Sequence, residues 1–288
     1  MPYRLPCAAL LLAGCLAVAV PGRAADDQAT ALAQRRKEVV TFAPAGFTVL
    51  IQPPFIVAGD EPPEKVRERA EGIVSWTVDR LKREYFERDP EEVITIWLFK
   101  YRPSYETNTR RLFRADHPSP FGYYSPVDRA LIMNIATGGG TLIHEIVHPY
   151  VRANFPTCPA WFNEGLGSLY EQSEERAGRI HGLPNWRLPG LQEIVRAGRT
   201  IPFADFVALS DADFYGGPTG YNQHYGQARY LCYYLQEHGL LQQYYREFHG
   251  HRHDDPTGLQ ALKKVLGTED LAGFQRQWEK FVLGLHFP

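Results

Sequence analysis

No excess of positive charge, no closely paired cysteines and no apolar run long enough to span a bilayer occur in this chain of 288 residues, and each absence removes a class of function. With 31 Lys and Arg against 33 Asp and Glu, the formal charge is −2 and the pI about 6.6. That leaves no basic field for nucleic acid or for an anionic membrane surface. None of the four cysteines has a second at close spacing, which argues against a cysteine-ligated zinc. The apolar stretch "LPCAALLLAGCLAVAV" near the start is too short, and its flanks wrong, for a membrane span. Gly138 to Gly140 form a flexible turn that no Gly-Lys-Ser/Thr follows, so they are not a phosphate loop. There is no internal repeat and no low-complexity linker. The hydrophobic content of 44% is ample for one large domain or two packed lobes.

Residues 1–24 read as a secretory leader: Arg4, the apolar stretch, then Pro21 and "GRA", with Gly22 and Ala24 as small residues at a cleavage point after Ala24. The chain is therefore expected to be exported, periplasmic or secreted. A competing reading takes "LAGC" as a lipobox with a lipid on Cys15, but apolar "LAVAV" follows where such proteins turn polar. Loss of the leader removes Arg4, Arg23, Cys7 and Cys15, leaving a mildly acidic chain with Cys158 and Cys232. In an oxidising compartment these two could bridge, stabilising by about 4 kcal/mol on the chain-entropy model; two buried thiols are the alternative.

The texture changes midway along the mature chain. "FTVLIQPPFIV" (47–57), with its Pro-Pro break, suggests two short strands or an edge strand. "PPEKVRERAEGIVSWTVDRLKREYF" carries Val66, Ala70, Ile73, Val74, Val78 and Leu81 at helical spacing behind prolines. "EVITIWLF" (92–99) and "ALIMNI" (130–135) read as strands, and "RPSYETNTRRLFR" as a helix begun by Ser104. From residue 139 the pattern is helices and loops with no convincing strand. The expected class is α+β: a small mixed sheet with helices over about 47–137, then a mainly helical part over 138–288, together one domain over 25–288.

"TLIHEIVH" is apolar between its polar residues and should be helical. On a helix His144 and His148 stack on one face about 40° apart and can reach one ion, while Glu145, turned by about 100°, can reach a water there. A catalytic zinc wants a third protein ligand and an open position; Glu164 in "PAWFNEGLGSLYE" can supply it if a Pro-rich connection turns the chain back. The bland reading, satisfied core histidines, is weakened by the apolar helical setting and the helical Glu-Gly downstream. Pro149 removes a backbone donor and should kink the helix just after His148.

From "GYYSPVDRALIMNI" through "TLIHEIVH" to "PAWFNEGLGSLYE", the chain resembles the active-site region of the gluzincins, the thermolysin-like zinc metallopeptidases, and more closely the peptidase MA-like group. "YGQARYLCYYL" (225–235) and "ALKKVLGTEDLAGFQRQWEKF" (261–281) extend the likeness. The resemblance implies one zinc ion on His144, His148 and Glu164, Glu145 as general base, and peptide or protein as substrate. It also implies a Tyr or His donor for the developing oxyanion from "YNQHYGQARY", which offers Tyr221, His224, Tyr225 and Arg229. Tyr225 is favoured, then His224. Asn163 would sit beside the third ligand, and "ALIMNI" would be the sheet edge that binds an extended peptide. The alternative is a catalytically degenerate relative serving as a binding or structural module in the cell envelope. "FHGHRHDD" (His249, His251, His253, Asp254, Asp255) could hold a second metal, though its Gly and charged neighbours favour a solvated loop; "RRK" (35–37) is a solvated surface.

Overall fold

The computed structural model describes residues 21–115, 119–216 and 220–287. The expected leader, with Cys7 and Cys15, lies outside them except for its last residues, which begin helix α1 (Pro21–Phe42). Next come β1 (Thr48–Gln52) and β2 (Phe55–Gly59), an antiparallel pair turned at Pro53 and Pro54 with Gln52 opposite Phe55. The two prolines cannot donate to a ladder, so the strand breaks where they stand. The expected amphipathic helix is present as α2 (Pro63–Arg69), a π-helical stretch Ala70–Ser75 and α3 (Trp76–Glu84), with Val66, Ala70, Val74, Val78 and Leu81 buried.

After β3 (Thr95–Phe99) comes α4 (Arg102–Phe113). Its cap is Tyr101, with Pro103 in the first turn, rather than Ser104; the Ser104 hydroxyl donates instead to Asp60. The sheet is completed by β4 (Gly122–Ser125) and β5 (Ala130–Asn134). Strand order is β1-β2-β3-β5-β4, with β2, β3 and β5 parallel and β1 and β4 antiparallel to their neighbours. This places β5, expected as the sheet edge, in the interior with all five residues buried. The edge on that side is β4, whose four residues, opening on Gly122 and followed by Pro126, are too short to announce a strand.

Alternation on the inner strands feeds two cores. Phe55, Val57, Ile96, Leu98, Leu131 and Met133 face α2, α3 and the helical half. Ile56, Ala58, Trp97, Phe99 and Ile132 face the other way, under Leu32 and Val39 of α1 and Tyr105 of α4.

The second half holds α5 (Gly140–Asn154), α6 (Ala160–Tyr170), α7 (Leu188–Arg196), α8 (Phe203–Phe206), α9 (Asp211–Tyr215), α10 (Gly220–Glu237), α11 (Leu241–Gly250), α12 (Leu259–Leu266) and α13 (Leu271–Gly284). It also holds a hairpin, β6 (Ser173–Arg176) and β7 (Arg179–Gly182), where no strand was expected. The hairpin turns on Ala177 and Gly178, both at positive φ, and buries only Ile180 and Gly182, so no apolar alternation betrays it. The fold is α+β with a small mixed sheet, and no described helix is long and apolar enough to cross a membrane.

Cys158 and Cys232 are both free thiols, so of the two readings the bridge is not formed. Cys232 is buried against α6, where a Cβ on Gly165 would lie 2.9 Å from its sulfur; Cys158 instead lines a cleft beside α5 and α6.

Candidate metal centre

Helix α5 continues through Pro149 to Asn154. Pro149 leaves the Glu145 carbonyl without its usual donor, but Tyr150 and Val151 are buried and anchor the last turn. His144, Glu145 and His148 therefore share one helix, and one donor atom from each lies within 4.8 Å of the others. Among the described residues this is the cluster able to hold a metal ion. "FHGHRHDD" forms none: His249 donates to the Asn154 carbonyl, His251 to that of Glu247, and Asp255 accepts from Ala261 N–H.

Helix α6 packs between α5 and α10 and brings Glu164 to the pair. Its Oε2 lies 3.1 Å from His144 Nε2 and 3.9 Å from His148 Nε2. Donors bound tetrahedrally at about 2.0–2.1 Å to zinc stand about 3.3 Å apart, so the spacing suits a zinc-sized ion. Glycine makes the approach possible at two points. A Cβ on Gly167 would lie 3.2 Å from the His144 ring, and one on Gly140 only 2.0 Å from the Glu171 carbonyl oxygen.

Each imidazole is also held from behind. His148 Nδ1–H donates to Asn163 Oδ1 at 3.0 Å. His144 Nδ1 lies 3.2 Å from Glu171 Oε1, close enough for an ion pair though off the angle of a good hydrogen bond. Both arrangements turn Nε2 toward the shared point, as a metal-binding histidine requires. Glu171 is in turn fixed by Arg187, which donates to both its oxygens at 2.7 and 3.0 Å, and by Asn185 at 3.1 Å. The outer oxygen of Glu164 accepts from the Tyr215 hydroxyl at 2.7 Å.

Charge follows from these contacts. Burial opposes a charge on His144, but Glu164 and Glu171 outweigh it and hold the imidazole up at about 10. Burial likewise opposes ionisation of the two glutamates. The histidines facing Glu164, and His144 with Arg187 facing Glu171, still hold each carboxyl down at about 2. Glu145 differs: burial raises it despite the histidines and the Tyr124 backbone N–H that donates to it. A carboxylate so raised, beside a cationic centre, has the character of a proton acceptor.

The site opens on a cleft of about 870 Å³, walled on one side by β4 and the residues before it and on the other by α7 and its approach. Phe121, Trp186 and Tyr215 line it, although 54%, 52% and 47% of their surfaces are exposed. The structure thus brings His144, Glu145, His148, Glu164 and Asn163 together. Tyr225 also lines the cleft, with its ring against Arg187 and Phe214. His224 does not line it, and its Nδ1–H donates to the Phe214 carbonyl. Arg229 is buried in the α10 packing and donates to the Leu183 carbonyl; the Tyr221 side chain lies outside what is described.

Sequence reasoning missed Glu171, Tyr215 and the Tyr124 N–H. Glu171 had a signal, since seven residues after Glu164 is two turns along the same face. The other two come from segments that only folding brings near. No family model matches the chain, and neither does any curated protein.

Proposed function

We propose that the chain is an exported zinc-dependent metallopeptidase of the gluzincin type, with His144, His148 and Glu164 as metal ligands and Glu145 as general base. The observation that carries this reading is Glu164 Oε2 standing 3.1 and 3.9 Å from the Nε2 atoms of His144 and His148, with Glu145 beside them in an open cleft. Zinc bound there would supply Lewis acidity and make water a nucleophile near neutral pH.

The protein's own residues do the rest. Glu145, raised by burial, takes the water's proton and passes it to the leaving amine nitrogen. Asn163, Glu171 and Arg187 keep the two imidazoles aimed. The Tyr215 hydroxyl proton is donated to the outer oxygen of Glu164, so Tyr215 steadies that ligand, and we assign the donation to the developing oxyanion to Tyr225, which lines the cleft, ahead of His224. The outer edge of β4, apart from the Tyr124 N–H that Glu145 takes, offers backbone groups to an extended peptide, and the exposed aromatics Phe121 and Trp186 offer apolar walls to its side chains.

The test pairs zinc content of the purified protein with cleavage of a mixed peptide library by wild type and Glu145→Gln. One zinc per chain in both proteins is expected, with turnover reduced at least a hundredfold in the variant. Retained turnover in Glu145→Gln removes the mechanism; one zinc with no cleavage by either protein favours a binding or structural module.

A further inference from the structure

Two arginines line the cleft, and they are used differently. Arg187 is clamped by both oxygens of Glu171. Arg152 is exposed and forms no ion pair with a carboxylate among the described residues. It stands one turn beyond His148 on α5, and a spacing of four keeps it on the face that carries His144 and His148. Its guanidinium reaches the Tyr124 phenol on β4, and the Tyr124 N–H is the group that holds Glu145. Glu92, the acid that also faces Tyr124, is itself exposed and does not pair with it. The three carboxylates deeper in the cleft are already engaged: Glu164 by His144 and Tyr215, Glu171 by Arg187 and Asn185, and Glu145 by the Tyr124 N–H and the neighbouring His148. The charge left open on the cleft wall is that of Arg152, and it is positive.

A cation in the last turn of α5 also suits the helix dipole, but a solvent-directed lysine would serve that purpose equally. A guanidinium laid against the strand beside the general base is a planar two-pronged donor, whose natural complement is a carboxylate. We propose that Arg152 determines specificity, and that the cleft takes a peptide presenting a carboxylate close to the scissile bond, either an Asp or Glu side chain or the peptide's own C-terminal carboxylate. This rests on the metallopeptidase reading for the word scissile, but not for the binding.

The experiment uses zinc-loaded full chain carrying Glu145→Gln. Its probes are fluorescent Ala-rich decapeptides with a central Phe-Leu, carrying Glu, Gln or Lys at single positions, each made with a free or an amidated C-terminus. Anisotropy should show the Glu peptide, or the free-acid peptide, binding at least tenfold tighter than its neutral counterpart, and which pair differs identifies the source of the carboxylate. Adding Arg152→Gln should bring that ratio to within about twofold of one. Arg152→Glu should reverse it in favour of Lys, and Arg152→Lys should retain only part of it; zinc content and melting temperature report that these variants are folded. A ratio near one with Arg152 present, a ratio that survives Arg152→Gln, or no binding of any acidic peptide overturns the proposal. Discrimination without cleavage by wild type leaves it standing and removes the peptidase reading, whereas cleavage without discrimination does the reverse.

Discussion

Glu171 shows how much of this site lies one bond behind the proposed metal ligands. It touches His144 on one side and takes both prongs of Arg187 on the other, so it sets ring orientation and basicity together. Removing such a partner typically weakens metal binding ten- to a hundredfold. Glu171→Gln keeps the shape but loses the charge that supports His144, and zinc affinity measured by chelator competition should fall by about that factor with the fold intact. An unchanged affinity would mean that Gly167 and the packing of α6 alone hold the ring. His144 and His148 were legible from spacing because a helix converts a separation of four residues into one face. Glu171 was legible in principle by the same rule applied over two turns. Tyr215 was not, because its bond to Glu164 spans 51 residues of chain.

The helix that carries His144, Glu145 and His148 is an element fixed at both ends. At its start Gly140 lets the first turn close on the end of α6. At its last residue Asn154 satisfies the segment after α3: its Oδ1 accepts from the N–H groups of Glu87 and Arg88 at 3.1 and 2.9 Å, and its Nδ2 donates to the Arg88 and Tyr150 carbonyls. Asn154→Ala strands several polar groups in a buried place, which costs about 1–3 kcal/mol. A fall in melting temperature of several degrees is expected, with zinc stoichiometry unchanged. A melt within a degree of wild type would show that this clasp contributes nothing. The sequence announced α5 through its apolar spacing, and announced a kink at Pro149. The helix runs on beyond Pro149 to Asn154 with Tyr150 and Val151 buried, because apolar area removed from water outweighs one lost backbone bond.

For the molecule as a whole, both faces of the sheet are covered, one by α1 and α4 and the other by the helices that carry the site. Stability is thus spread over two cores and needs no covalent staple. Cys158 and Cys232 are free, and burial raises both thiols well above their ordinary range, which keeps them slow to oxidise while folded. Unreduced protein lacking residues 1–24 and unfolded in denaturant should therefore titrate two thiols per chain, and reducing agent should leave the melting temperature unchanged. No titratable thiol, together with a melt that falls on reduction, would restore the bridge.

The sequence by itself determined the α+β class, the main helices and inner strands, and the placing of two imidazoles on one helical face with a carboxylate turned beside them, because hydrophobic periodicity and side-chain direction are local consequences of backbone geometry. Only the tertiary structure decided the rest. It put β4 and not β5 at the edge, drew Glu164, Tyr215 and Asn163 onto the same centre, took His224 away from it, and left Arg152 open on the wall. Strand order and the meeting of distant segments depend on which apolar faces bury one another across the whole chain, and no local pattern carries that information.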